Sequence, residues 1–233
     1  MTATRVNLLS AGAAKGFVLA LQPEFERASG LQLASKFGAV GAMREQLEGG
    51  APCDAIVLTR SMVDGLASAG RADAGTVRDI GWVHTGVAVP LGAAAPTVAD
   101  AAALRALLQS ARAIYLPDPQ RATAGIHALK VLRELGQAQP ERLRLHPNGA
   151  TAMAAMAGEA DATAVGITQV SEILYTPGLN LLGSLPAPFA LATLYSAAVV
   201  KGASQVEAAT GLLALLTAAA HAQLRQRSGF EPH

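Results

Sequence analysis

Short apolar runs alternate with amphipathic stretches along almost the whole chain. Residues 6–9, Val-Asn-Leu-Leu, read as a first strand, and the Gly/Ala loop Ser10-Ala11-Gly12-Ala13-Ala14 leads into a helix through about residue 26. Pro23 should kink that helix or end its regular part, and Gly30 stops it. Residues 31–37 read as the next strand, after which Gly38-Ala39-Val40-Gly41 opens a helix through residue 47. The apolar run 55–58 predicts a buried strand, followed by a helix over 61–69. Further strands are predicted at 83–89, 113–116, 143–146, 162–167 and 194–200. Further helices are predicted at 101–108, capped by Asp100, and from a capping Thr123 to residue 135. Three more follow: 150–157, opened by Asn148-Gly149; a short one from Thr168 to 174; and a long final one over 205–225. This order is that of an α/β fold with parallel strands.

One arrangement recurs four times: an apolar strand, a small-residue loop, then a helix. It occurs at Leu9 with residues 10–14, Phe37 with 38–41, Leu116 with 121–125, and His146 with 148–151. In doubly wound sheets ligands sit outside the carboxyl ends of the strands. Helix starts there present free N–H groups and a positive dipole end. Several such starts make an anion site with few charged side chains. No sequence repeat, charge block or low-complexity linker is visible.

Composition narrows the classes. Lys+Arg is 18 and Asp+Glu 17, a net charge of +1, so no field draws a polyanion; with 4% aromatics there is no stacking platform either. Nucleic acid is therefore not an expected partner. Hydrophobic residues reach 51% and mean hydropathy is +0.32, but the longest apolar stretches carry Thr or Ser and are too short to span a bilayer, so no membrane insertion is expected. Much of the excess is alanine, which favours helices. A single cysteine, Cys53, excludes an internal disulfide framework and a multi-cysteine metal site. Val-Asn-Leu-Leu directly after Arg5 reads as a strand rather than a signal-peptide core, which places the chain in the cytoplasm, or in the periplasm if a leader has been removed. There is no Gly-x-Ser-x-Gly, His-Glu-x-x-His, phosphate loop or Gly-x-Gly-x-x-Gly, so no cofactor or metal is expected.

The run from Phe37 through Gly41, Met43, Gln46 and Gly50-Ala51-Pro52 to Asp54-Ala55 resembles a run of the type II periplasmic binding-protein family, in its molybdate-binding branch. So do the early loop from Ser10 to Lys15, the turn from Asp118 to Gly125, and Gly158-Glu159-Ala160-Asp161-Ala162 before a strand. Tyr195 to Gly202 and the closing Gly229-Phe230 complete the resemblance, in order and across nearly the whole chain. It implies a two-lobed α/β fold, each lobe a mixed sheet flanked by helices, with a ligand cleft between lobes that close on a small anion. Lobe one would be residues 1–82 plus 194–233 and lobe two 83–193, with crossovers near 87–90 and 191–197. The implied function is that of a solute-binding protein serving an ABC transporter's membrane component.

By the same resemblance the ligand would meet Ser10, Gly12, Ala13, Ala14 and Lys15, then Ala39 and Val40. In the second lobe it would meet Arg121, Thr123, Ala124, Gly149, Ala150, Gly166 and Thr168. The loops depart from the family's pattern. Ala13 stands at the first-loop serine, Ala39 and Val40 at the second-loop serines, and Gly166 at a late tyrosine. Polar contacts are lost at these positions and the cleft is enlarged, and a buried oxyanion needs its hydrogen bonds completed. The resemblance therefore implies an organic carboxylate rather than molybdate, with Arg121 as counter-charge.

Each of these positions has a plainer reading. Residues 38–41 also make a tight strand-to-helix turn, and Arg121 serves equally as a solvated arginine. Lys15 and Arg44, early in their helices, oppose the dipole but suit solvated faces. Two other functions stay open. A branch resembling the family includes aconitate isomerase, which moves a proton in an unsaturated tricarboxylate; Glu172, His127 and Lys15 are the candidate bases. The third reading is a cytoplasmic ligand sensor presenting its closed form to a partner.

Overall fold

The computed structural model of the protein describes residues 5–159 and 161–233; Ala160, in the Gly-Glu-Ala-Asp-Ala stretch above, lies outside the described residues. The chain opens with β1 (Arg5–Ala11), a 3-10 turn at Gly12–Ala14, α1 (Lys15–Ser29), β2 (Gln32–Gly38), α2 (Val40–Glu48), β3 (Ala55–Thr59) and α3 (Arg60–Ser68). Next come β4 (Arg78–Pro90), α4 (Ala101–Ser110), β5 (Ile114–Pro117), α5 (Thr123–Glu134), β6 (Leu143–His146), α6 (Gly149–Glu159), β7 (Val165–Gln169), α7 (Val170–Tyr175) and β8 (Leu179–Ser184). It closes with β9 (Ala192–Val199), α8 (Val206–Thr217) and α9 (Ala222–Arg227). Among the described residues no helix is long and apolar enough to cross a membrane.

The chain divides into two compact units, Met1–Trp82 with Leu194–His233, and Val83–Thr193. It leaves the first unit inside β4, at Trp82–Val83. Residues 87–90, read above as a crossover, instead lie within the second unit, where Val87 and Ala88 pair with β7 and Val89 and Pro90 with β8. In the first unit β1 is central, parallel to β2 and β3, and β9 runs antiparallel along β3. In the second, β5 is central, parallel to β6 and β7, and β4 runs antiparallel along β7 with β8 on its other edge. Each unit is thus a mixed sheet of one design: central strand, helix, outer strand, helix, inner strand, helix. The topology repeats where the sequence does not.

Period-2 burial organises the second unit. Val87 and Val89 of β4, with Val165 and Ile167 of β7, pack under Leu104 and Leu108 of α4 and Ala128, Val131 and Leu132 of α5. On the opposite face, Ala88 and Tyr115 pack with Met153 and Met156 of α6 and Ile173 of α7. In the first unit α1 buries Phe17, Val18, Leu21 and Phe25 at helical spacing, and Gly30, at φ 70°, closes it with its N–H on the Glu26 carbonyl. Pro23 does not end α1, which runs on through it to Ser29. Pro23 falls on the exposed face, where water can serve the carbonyl it leaves without a donor.

The long final helix is broken. α8 ends at Thr217, Ala218 is extended, and a 3-10 turn leads into α9. Arg225 folds back and donates to the carbonyls of Leu216 (3.2 Å) and Ala218 (2.8 Å) beside the break. The bend brings Phe230 into the core, where it is 2% exposed beside Phe17 and Tyr195. β8 had no counterpart in the sequence reading; its residues are nearly all half-buried and show no clear alternation.

Candidate functional site

Because β1, β2 and β3 are parallel, their C-terminal ends share one edge of the first sheet, and α1, α2 and α3 begin there. The ends of β5, β6 and β7 likewise share one edge of the second sheet, where α5, α6 and α7 begin. In both sheets the order reverses about the central strand, the position at which open α/β sheets take ligands.

Ser10 is the penultimate residue of β1 rather than a loop residue; it is fully buried and its Oγ donates to the Ala11 carbonyl at 3.1 Å. Gly12, Ala13 and Ala14 form the buried 3-10 turn and Lys15 starts α1. Ala39 is the N-cap of α2 and Val40 its first residue, both buried. Neither the 3-10 turn, α1 nor α2 has a side-chain cap or an acidic residue in its first turn, so their leading N–H groups have no such partner. Arg44 is half-exposed and 3.7 Å from Glu48.

In the second unit Asp118 organises the loop before α5. Its Oδ1 accepts from the N–H groups of Gln120 and Arg121, and its Oδ2 from Arg121 Nε at 2.9 Å. Burial opposes ionisation of Asp118, but these bonds and the guanidinium charge together hold its pKa below the ordinary value. Arg121, half-exposed, therefore shares its charge with Asp118 instead of standing as a ligand's dedicated counter-charge. Thr123 is not a cap: Ala122 occupies that position, and Thr123 begins the helix with no side-chain bond to it. Ala124 is buried, and Gly125 lies so close to the Pro117 and Asp118 carbonyls that any Cβ would overlap them. Like α1 and α2, α5 has neither a side-chain cap nor an acidic residue in its first turn.

The start of α6 is different. Asn148 Oδ1 accepts from the Thr151 N–H and the Asn148 carbonyl from Ala152. The N–H groups of Gly149 and Ala150 bond the carboxylate of Glu172 on α7, as does that of Gln169. Thr168 Oγ1 donates to Glu172 Oε2 at 2.5 Å. Glu172 is 5% exposed; burial pushes its pKa up, only partly offset by these four donors. A Cβ at Gly149 would overlap both Glu172 Oε2 and Thr168 Oγ1, so the glycine is what admits the carboxylate.

Gly149, Ala150 and Thr168, read as ligand contacts, thus serve an internal anion. Thr168 is also the fourth residue of β7 rather than the start of a helix. Four donors match a carboxylate's acceptor capacity, which removes Glu172 as a convincing base. Gly166 does not enlarge a cleft: its missing Cβ faces α6, where it would lie 2.5 Å from Met153 Cε. His127, another candidate base, has its Nε2 at 2.7 Å from the Phe189 carbonyl. Cys53 is an inert thiol, with burial pushing its pKa up to about 12.

The sequence reading passed over Thr85, which lies beside Gln169. They are register partners across β4 and β7, 0% and 2% exposed, at the C-terminal end of β7. A threonine in an apolar strand carries no local signal, because it suits a strand without any function. Asp54, also buried, is a tie of the first unit. It accepts from the Asn7 N–H (2.8 Å), the Ser204 N–H (2.8 Å) and hydroxyl (2.9 Å), and the Gln205 N–H (3.1 Å). Among the described residues no three His, Cys, Asp or Glu side chains group as a metal site would need.

The chain is similar to an aconitate isomerase of Pseudomonas sp, at 27% identity over 237 residues, covering 98% of this chain and 88% of that protein. Its fold is similar to that of the periplasmic molybdate-binding protein of Azotobacter vinelandii, with a TM-score of 0.79 at 18% identity over 98% of this chain and 100% of that one. It is also similar to the fold of the sulfate-binding protein SubI of Mycobacterium tuberculosis, with a TM-score of 0.76 at 19% identity over 98% of this chain and 87% of that one. The two-unit α/β architecture with mixed sheets is that of the type II periplasmic binding proteins. Residues 6–231 match the model of the bacterial extracellular solute-binding proteins, and the chain belongs to that family.

Proposed function

We propose that the protein reversibly binds a small organic carboxylate in service of an ABC transporter's membrane component, and that the anion-holding parts are bare helix starts: those of α1 and α2 in the first unit and that of α5 in the second. One observation carries the reading: these three starts have no side-chain cap and no first-turn acid, while that of α6 is filled by Glu172. N–H groups at the positive end of a helix suit an anion. Ala13, Ala39 and Val40 add no hydroxyl there, and the Ser10 hydroxyl is already bonded to Ala11. An oxyanion needing two or three further donors would lack them, at about 1.5–3 kcal/mol each, or roughly a thousandfold in affinity altogether. A carboxylate with an apolar stem needs fewer donors and gains from the buried alanines and Val40. A thermal-shift screen of molybdate, sulfate and small carboxylates tests the reading. Stabilisation by carboxylates supports it; no shift with any carboxylate at millimolar concentration contradicts it.

The likeness to an aconitate isomerase along almost the whole chain favours one second reading, proton transfer in an unsaturated tricarboxylate. Against it, Glu172 has its acceptor sites filled and His127 is bonded to a carbonyl. Formation of the cis isomer from trans-aconitate would establish this reading, and no conversion at high protein concentration removes it.

A further inference from the structure

Thr85 interrupts an apolar stripe. Along β4, Val87 and Val89 point to the face that carries α5, where they meet Val165 and Ile167 of β7. Period two puts Thr85 next in the β4 stripe and Gln169 next in that of β7, and the two are paired across the ladder. The stripe turns polar at the C-terminal end of β7. Parallel β5 ends on that same edge, and α5 starts there without a side-chain cap.

The Thr85 backbone is satisfied: its N–H donates to Leu191 O and its carbonyl accepts from Leu185 N, both at 2.9 Å. Its Oγ1 is wholly buried and has no hydrogen-bond partner among the described residues. A buried hydroxyl without a partner destabilises a fold, and valine, nearly the same shape, already occupies the next two positions of the stripe. Folding does not call for this oxygen, so a ligand is the natural partner.

We propose that Thr85, with the Gln169 amide beside it, binds an oxygen substituent on the carbon next to a ligand carboxylate seated on the α5 start. The preferred ligands are then small 2-hydroxy or 2-oxo carboxylates. A hydroxyl and an amide in an apolar stripe suit a neutral oxygen better than a second full charge, which would need stronger compensation once buried. The inference rests on the carboxylate-binding reading above and sharpens it.

The experiment measures Kd by calorimetry for two pairs that differ by one 2-hydroxyl, succinate with malate and tricarballylate with citrate. The proteins are wild type, Thr85→Val and Thr85→Ser. Wild type should prefer the hydroxylated member of a pair by about tenfold, the range of one hydrogen bond. Thr85→Val should erase that preference while leaving affinity for the other member unchanged, and should melt no lower than wild type because it removes an unpartnered hydroxyl. Thr85→Ser should keep the preference. Equal binding of both members by wild type, or a preference that survives in Thr85→Val, overturns the inference and leaves carboxylate binding standing. Failure of every carboxylate to bind overturns both.

Discussion

A methyl group added at Gly149 tests whether the start of α6 holds an internal anion. Built on the present backbone, the Cβ of Gly149→Ala overlaps Glu172 Oε2 and Thr168 Oγ1. Overpacking of this kind costs about 1–3 kcal/mol, and displacing the carboxylate forfeits charge-assisted bonds of about 1.5–3 kcal/mol. With partial relaxation, a loss of about 3–5 kcal/mol is expected, a Tm lower by roughly 10–15 °C for a chain of this size. The control is Gly211→Ala in α8, where nothing lies within 4 Å of the new Cβ. There helix propensity alone acts, and stability should rise by about 0.5–1 kcal/mol. Calorimetric melts of both variants, of Glu172→Ala and of the double variant complete the test. Truncating Glu172 removes its share of the clash and leaves only the overlap with the Thr168 hydroxyl, so the Gly149→Ala penalty should shrink in the double variant. Equal Tm for Gly149→Ala and wild type, or additive effects in the double variant, would refute the placement of Glu172.

Asp54→Ala leaves the Asn7, Ser204 and Gln205 donors without their acceptor and should cost at least about 3 kcal/mol in a denaturant melt. The two buried carboxylates should respond to pH with opposite sign. Glu172 has a folded pKa above its unfolded value of about 4.3, so its contribution is full below that pH and is lost as pH rises through the folded value. The Tm of wild type relative to Glu172→Gln should therefore fall as the pH rises from about 4. Burial opposes ionisation of Asp54, but its hydrogen bonds prevail and lower its pKa, so its contribution is present at neutral pH and lost as pH falls through the carboxylate range. Arg121→Ala should lower carboxylate affinity by about tenfold, because it leaves the Asp118 charge uncompensated at the α5 start; Asp118→Asn in the same protein should recover most of that loss by calorimetry.

Most strands and helices were legible from their apolar runs and helical spacing. Ala55–Thr59 is buried at every position and reads as a core strand, and Asp100 caps α4 through the Ala103 N–H as its residue type suggests. The family was legible from motifs in order along the chain. The site was harder because its decisive contacts are long-range. Nothing near Glu172 in sequence signals that its carboxylate reaches Gly149, since that contact exists only once β6 and β7 flank β5 and α6 packs against α7. Gly166 was misread because the side it faces depends on where Met153 of α6 packs, not on its neighbours in the chain. Likewise the alanine-rich tail has helix propensity throughout, and it is Phe230 packing on Phe17 and Tyr195 that requires the bend.

Isothermal titration calorimetry of the intact chain with molybdate and with a panel of di- and tricarboxylates, trans-aconitate, malate and citrate among them, tests the central claim most directly. At least one carboxylate should bind with a Kd in the micromolar range or below, and molybdate roughly a thousandfold more weakly than that ligand. Submicromolar molybdate binding with no heat from any carboxylate would show that backbone N–H groups alone complete an oxyanion site at Ala13, Ala39 and Val40, and would contradict the account.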